Sequence, residues 1–580
     1  MKDTLKNFFK KVKNTFVKSD DPVARRAQAS KRLYAKSTKS HKVHTEKKRS
    51  FFGVNSTKLL KIAGNTLVAL FVIMVLILSI RGIAGNPSPT ELNRLIWKDN
   101  GPLELSPERG RYALMYALAE EKSFSFSPDL ARFAAPDVAF TDGKYVSLFA
   151  PAVSFLVIPG YFIGKYFGLA QVGSYAVIAL FALANLYLIR AIAIRIGAHP
   201  IAATIAGVAF LFATPAFAYA VTLYQHHIST FLILMGIYLL IRFNSIWSLM
   251  GIWLLCALSI SVDYPNFFMM LPIGIAALGK VFIAKRAEGK ITFTVPILRV
   301  LSVAVMVIPL AFFLWFNSMS YGNPLQLSGT IERAIEVRTD GSPILESEKI
   351  IADKKAKGEE IPQGTYDKNV LNFFQSRLLL NGLYSHFVSP DRGLLAFTPV
   401  MLFGIAGMVW AIKKRVKHTS LFVAIIGFNI LLYSMWSDPY GGWAFGSRYL
   451  IPAYALLAVF IAYLLTRLHK YSLFLLFFFM VMSYSVAVNT LGAVTTNRNP
   501  PMVEAVGLSE ITGREELYTY MRNVSQLNNN ISKSYVFEAY VANKITAWQY
   551  YIFLTSFIVI VSAFILMTLR IVPKGEQHAL

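Results

Sequence analysis

The chain has 580 residues, of which 55% are apolar and 16% charged, with a single cysteine and a formal net charge of +26. Apolar runs of about 20 residues recur almost end to end, each covering about 30 Å of hydrocarbon as a helix. Together with a mean hydropathy of +0.48 they exclude a string of soluble domains. The lone Cys256 excludes a disulfide framework, a thiolate zinc site or an iron–sulfur cluster.

Residues 1–61 hold 18 Lys/Arg against four acids, a net of about +14, and lack an aromatic platform for bases. They read as a disordered cytoplasmic tail that touches anionic lipid rather than nucleic acid. The first apolar segment, 62–80, follows too many polar residues to be a cleaved signal peptide and reads as a signal anchor. Positive charge stays inside, so residues 81–146 are placed outside. Segment 147–169, interrupted by Pro151 and Pro159, is expected as a helix in the outer interface, because a crossing there would put Arg190 and Arg195 outside.

Further crossings are expected near 171–190, 200–220, 223–241, 247–262, 266–284, 300–317, 393–412, 419–436, 449–466, 472–490 and 547–569. The fold class is therefore an all-α polytopic membrane protein of about twelve transmembrane helices plus the interfacial helix. Its organisation is a tail over 1–61, a core over 62–490 with outer loops 81–146 and 318–391, an outer loop or small lid over 491–546, and a last helix with a cytoplasmic end over 547–580. Every turn placed inside is basic, for example Lys413-Lys414-Arg415, so both termini are expected in the cytoplasm of a multi-pass plasma-membrane protein.

The predicted helix centres carry no Asp, Glu, Lys or Arg, whereas ion-coupled transporters need ionisable groups at mid-membrane depth. Polar residues gather at the outer helix ends instead. In the first loop, Pro107-Glu108-Arg109-Gly110-Arg111-Tyr112 opens a helical pattern with Glu108 beside its N-terminus. Downstream, Asp137 precedes a turn pair, Asp142-Gly143, and Lys144. His226 and His227 open another helix, but neighbours about 100° apart cannot share one metal from a regular helix. Asp263-Tyr264-Pro265 closes a crossing at the same level. Ser389-Pro390-Asp391-Arg392 and the aromatic run from Trp436 through Tyr440 and Trp443 to Arg448 complete the cluster. Arg forks onto phosphate oxygens, and aromatic rings stack on sugars or fill the interfacial belt.

In their order, Glu108-Arg109-Gly110-Arg111-Tyr112-Ala113, Asp142-Gly143-Lys144-Tyr145-Val146-Ser147 with Pro151, Ser389-Pro390-Asp391-Arg392-Gly393-Leu394 and Gly441-Gly442-Trp443-Ala444-Phe445-Gly446-Ser447-Arg448-Tyr449 resemble the GT-C superfamily of membrane glycosyltransferases. The likeness spans most of 62–490 and is strongest to the branch of protein O-mannosyltransferases and aminoarabinose lipid A transferases. Relatives often carry a first-loop Asp-Glu pair where this chain has Glu108-Arg109, and a Lys before the proline where it has Phe149-Ala150-Pro151. The resemblance implies a sugar donor on a polyprenyl phosphate and an acceptor outside the membrane that is a glycan, lipid or protein. It further implies an inverting displacement with a carboxylate base.

Glu108 is the expected base, kept ionised by the helix dipole, with Asp142 and Asp137 in reserve. Arg448, Arg392, Lys144 and His226 are the expected phosphate ligands, and Tyr112, Asp263, Tyr264, Trp443 and Tyr440 the expected substrate contacts. No metal ligands and no certain cofactor are assigned, and a divalent metal stays open. The alternatives are a non-catalytic transporter or flippase of lipid-linked glycans, and a membrane scaffold that would leave the outer cluster unexplained.

Overall fold

The computed structural model describes residues 56–287, 290–357 and 373–571. The expected basic tail lies almost wholly outside the described residues, as do 358–372 and the last nine residues. The chain divides into two compact units, 1–67 and 68–580, and the first is described only as the start of helix α1 (Ser56–Ser79).

The second unit is a helical assembly whose elements follow the apolar runs. In chain order they are α2 (Ser106–Tyr116), β1 (Val138–Thr141), β2 (Lys144–Ser147), α3 (Ala152–Tyr166), α4 (Ala170–Arg195), α5 (Pro200–Phe212), α6 (His226–Arg242), α7 (Ile246–Val262) and α8 (Asn266–Val281). After these come β3 (Ile283–Ala287), β4 (Lys290–Thr294), α9 (Val307–Tyr321), β5 (Arg333–Val337), β6 (Pro343–Leu345) and α10 (Leu379–Phe387). The chain continues with α11 (Met401–Lys413), α12 (Thr419–Ser434), α13 (Ile451–Leu468), α14 (Ser472–Val494), α15 (Met502–Thr512), α16 (Met521–Asn528) and α17 (Ala547–Ile571). Shorter helical turns are left unlabelled.

Among the described residues, five helical stretches are long and apolar enough to cross a membrane: Ala170–Arg195, Ile297–Tyr321, Arg448–Leu468, Ser472–Val494 and Ala547–Arg570. The other apolar helices run 10–17 residues. Two expected crossings are broken. The span 200–220 stops at Phe212 and resumes as a short turn behind Thr214-Pro215. The span 393–412 is interrupted at Thr398-Pro399 ahead of α11, because proline lacks the amide that would continue the ladder.

Helix α13 is buried at every residue from Ile451 to Leu465. A helix apolar all round belongs at the centre of a bundle, and α13 packs against α4, α5, α6, α11 and α12. Helices α3 and α4 form a tight hairpin. Gly160 and Gly164 meet Gly173 so closely that a Cβ on Gly173 would lie 2.2 Å from the Gly160 carbonyl oxygen. Small residues permit this backbone approach, as in other membrane helix pairs.

The all-α expectation needs correction, since the described residues include two sheets. One is ordered β2-β1-β5-β6 and the other pairs β3 with β4. Val138-Ala139-Phe140-Thr141 and Lys144-Tyr145-Val146-Ser147 zip antiparallel from Val138↔Ser147 to Thr141↔Lys144. The two-residue Asp142-Gly143 loop has both φ positive (49° and 74°), the backbone that a tight hairpin between twisted strands demands. Strand β5 then adds to β1 through Val138↔Ala334 and Ala139↔Arg333. The segments 81–146 and 318–391 are thereby joined in one folded layer, with Asp137 and Arg333 side by side.

Candidate functional site

Three adjoining cavities meet above the ends of α6, α7 and α13. The middle one, about 170 Å³, is lined by Pro107, Arg111, Phe149, Tyr224, Gln225, Asp263, Pro265, Tyr433, Trp436, Arg448 and Tyr449. Its floor is the run into α6 and its walls are the α2 start and the loop before α13. Arg111 lies 4.4 Å over the Phe149 ring and 5.7 Å over Tyr224, while Arg448 lies 5.2 Å over the same Tyr224. Two guanidiniums thus share one aromatic platform.

Each guanidinium spends only part of its donor set. Arg111 donates to the Pro107 carbonyl at 2.8 Å and Arg448 to the Gly441 carbonyl at 2.6 Å. The Nε of both, the Tyr224 hydroxyl and His226 Nε2 are buried without a hydrogen-bond partner. Burial pulls the Arg111 guanidinium down to about 10, with Asp263 opposing the shift, so it stays charged at neutral pH. Asp263 accepts from Gln225 at 3.1 Å and is raised by burial. A small chamber with surplus buried donors and two cations suits a phosphate group.

An apolar groove of about 410 Å³ adjoins this chamber and shares Phe149, Asp263, Pro265 and Trp436 with it. Leu148, Phe149, Phe268, Leu327, Phe373, Phe374 and Trp436 line it, with Asp137, Asp263, Tyr264 and Arg333 at its polar edge. The Tyr264 hydroxyl bonds Ser328 at 2.9 Å. On the other side, a polar cavity of about 410 Å³ is lined by Asp99, Glu104, Arg109, Asp137, Arg333, Asp438, Trp443, Arg448 and Arg498, among others. Asp137 faces both large cavities. It accepts from Ser106 Oγ at 2.5 Å and from Arg333 at 3.0 Å.

Several expected site residues are placed elsewhere. Glu108 is fully buried, lines none of the three cavities, and neither carboxyl oxygen has a hydrogen-bond partner. Burial and the nearby Glu104 carboxylate push it up to about 8, against Arg81, the Leu105 amide and Lys533. The helix dipole therefore does not keep it ionised: desolvation outweighs a terminal dipole. Asp142 and Lys144 are exposed at the hairpin tip, outside the cavities. Arg392 is fully buried against Asp391 (3.2 Å) and donates to the carbonyls of Tyr440 and Gly442 (2.9 Å). It clamps the loop that carries Arg448 and lines none of the three cavities.

Tyr112 packs wholly inside, edge-on to Phe133 and Tyr161. Tyr440 lies beneath the Arg392 guanidinium. The Trp443 ring is covered by Arg498 and Arg522 at 5.2 and 5.3 Å, and its Nε1 donates to Glu504 at 2.6 Å. His226 stacks on Tyr224, 5.7 Å between centroids, whereas His227 turns into the core and bonds the Ala216 carbonyl at 2.7 Å. The two histidines diverge as their spacing on a helix requires.

Arg111 and the buried node around Glu104 escaped the sequence. Glu104 takes Arg81 at 3.0 Å, Lys533 at 2.8 Å, Thr496 Oγ1 at 2.7 Å and the Asn497 amide at 2.6 Å. Although burial raises it, Lys533 and Arg81 hold it down to about 2. Its partners lie up to 429 positions away in the chain, beyond the reach of local pattern. No group of three or more metal-ligating side chains exists among the described residues.

No family model matches the chain, and no curated protein matches it. The structure aligns with ArnT from Cupriavidus metallidurans in the apo state, 14% identical over 89% of this chain and 78% of that one, with a TM-score of 0.41. The same enzyme bound to undecaprenyl phosphate is 11% identical over 89% and 77%, TM-score 0.42. The Archaeoglobus fulgidus oligosaccharyltransferase in the apo form is 11% identical over 87% and 56%, TM-score 0.33.

Proposed function

We propose that the protein transfers a sugar from a polyprenyl-phosphate donor to an acceptor at the outer face of the cytoplasmic membrane. The observation that carries this reading is the shared wall of the two-arginine chamber and the apolar groove, formed by Phe149, Asp263, Pro265 and Trp436: a phosphate seat beside an aromatic-lined groove fits a lipid phosphate. The prenyl chain lies along Phe149, Phe268, Phe374 and Trp436, and the phosphate takes the free donors of Arg111, Arg448 and Tyr224.

In the reaction, the acceptor oxygen bonds to the anomeric carbon as the bond from that carbon to the phosphate oxygen breaks. The polyprenyl phosphate leaves as an anion, and the paired guanidiniums stabilise the developing charge in a dry pocket. The acceptor's proton passes to a carboxylate. Asp137 takes this role, because of the three acids singled out in the sequence it alone faces both the groove and the polar cavity. Asp263 balances the charge of the chamber. The sequence motifs and their resemblance support the same chemistry, and both termini then lie in the cytoplasm.

The test uses the purified full-length chain with a panel of undecaprenyl-phosphate hexoses. Asp137→Asn is expected to lower turnover by roughly 10²–10⁴-fold, the usual effect of removing a general base, with undecaprenyl-phosphate binding intact. Glu108→Gln is expected to stay within a few fold of wild type. Arg111→Lys and Arg448→Lys keep charge but lose the fork, and both are expected to weaken undecaprenyl-phosphate binding. Normal transfer by Asp137→Asn, or unchanged binding by both lysine variants, would refute these assignments.

A further inference from the structure

The polar cavity has a charge pattern that its own ion pairs do not exhaust. Arg333 is matched by Asp137 at 3.0 Å, and Arg498 by Asp99 at 3.1 Å. Glu104 is consumed by Arg81 and Lys533. The Asp438 carboxylate is spent on the amides of Tyr440 and Gly442, at 3.1 and 2.5 Å.

Among the described residues, two lining guanidiniums donate to no carboxylate. One is Arg448, shared with the phosphate chamber. The other is Arg109, 7% exposed, which donates to the carbonyls of Glu104 at 3.1 Å and Ala135 at 2.9 Å. Asp99 and Asp137 offset part of its burial through space, but no carboxylate takes a hydrogen bond from it and its Nε is buried with no partner. A buried cation with an unspent donor at a cavity wall is costly to maintain without an anion to meet it.

The geometry points to an acceptor subsite centred on Arg109 that takes an anionic saccharide, its phosphate or carboxylate oxygens meeting the guanidinium. This deepens the transferase reading and rests on it: the donor phosphate occupies the chamber of Arg111 and Arg448, and the acceptor's anion occupies the polar cavity beyond Asp137. Asp137 lies between the two, where a hydroxyl of the acceptor would be deprotonated. Repulsion between donor and acceptor anions is offset because each has its own guanidinium.

The subsite is tested by calorimetric titration of the full chain in nanodiscs, with the donor chamber first saturated with undecaprenyl phosphate. Methyl glucoside, methyl glucuronide and glucose 6-phosphate serve as neutral, carboxylate and phosphate probes. At least one anionic probe is expected to bind ten- to a hundredfold more tightly than the neutral one, the scale of charge-assisted hydrogen bonds. Arg109→Gln is expected to erase that preference and Arg109→Lys to keep part of it. The probe that wins tells phosphate from carboxylate.

Equal binding of all three probes, or a preference unchanged in Arg109→Gln, would overturn the subsite. If undecaprenyl phosphate does not bind, the transferase reading fails separately, and the same titration in Arg111→Ala still decides whether Arg109 holds an anion. Thermal unfolding of each variant separates loss of the subsite from loss of the fold.

Discussion

Glu104 and Glu108 stand four residues apart, both buried, and are driven in opposite directions. Glu104 is held down to about 2 by Lys533 and Arg81, and Glu108 is pushed up to about 8 chiefly by burial. From the ordinary value of 4.5 up to about 8, the folded chain keeps a proton on Glu108 that the unfolded chain has lost, so this residue makes stability fall as pH rises through that window. Glu104 acts in reverse: its stabilisation is complete above about 4.5 and is lost as pH falls toward 2.

Thermal unfolding across pH 5–8 should therefore be flatter for Glu108→Gln than for wild type, with the variant gaining most at pH 8. A parallel slope would contradict the buried, protonated Glu108. Glu104→Gln should cost about 3–5 kcal/mol at neutral pH, the range for leaving buried charges unpaired. The motif spacing singled out Asp137, Asp263 and Arg448, which line the cavities, but a lone chain cannot tell that Arg392 turns away while Arg111 turns in. Burial decides those outcomes, and burial comes from partners distant in sequence.

Among the elements, hydropathy located the helices closely: expected spans at 223–241 and 247–262 correspond to α6 (His226–Arg242) and α7 (Ile246–Val262). The strands were hidden because four residues such as Val138-Ala139-Phe140-Thr141 are too short to set up a clear alternation, and β1 is completed by β5 from almost 200 residues away. The Asp142-Gly143 turn was legible, its hairpin was not. The α3–α4 hairpin depends on close backbone contact, so Gly173→Ala, whose Cβ would sit 2.2 Å from the Gly160 carbonyl oxygen, should destabilise the protein by about 1–3 kcal/mol, the usual cost of overpacking. The measurement is thermal unfolding of the purified variant, and an unchanged midpoint would show that the glycines are not packed against one another.

For the whole molecule, the account requires the first, second and closing loops to lie on one side of the membrane and the turn at Lys413–Lys417 on the other. Membrane-impermeant thiol labelling from outside, in a Cys256→Ser background, should reach single cysteines placed at 340–357 and 510–530 but not at 413–417. Labelling of the basic turn from outside would invert the topology and with it the face on which the cavities open.

The central claim is that the bond between sugar and lipid phosphate is broken at these cavities. It is tested most directly in proteoliposomes holding the purified chain and undecaprenyl-phosphate hexoses labelled in the sugar, supplied with the glucoside, glucuronide and sugar phosphate as acceptors. The account predicts label in the water-soluble acceptor together with an equal amount of free undecaprenyl phosphate, both lost in Asp137→Asn. Labelled lipid that crosses the bilayer intact, with no label in any acceptor, would contradict it and identify a transporter.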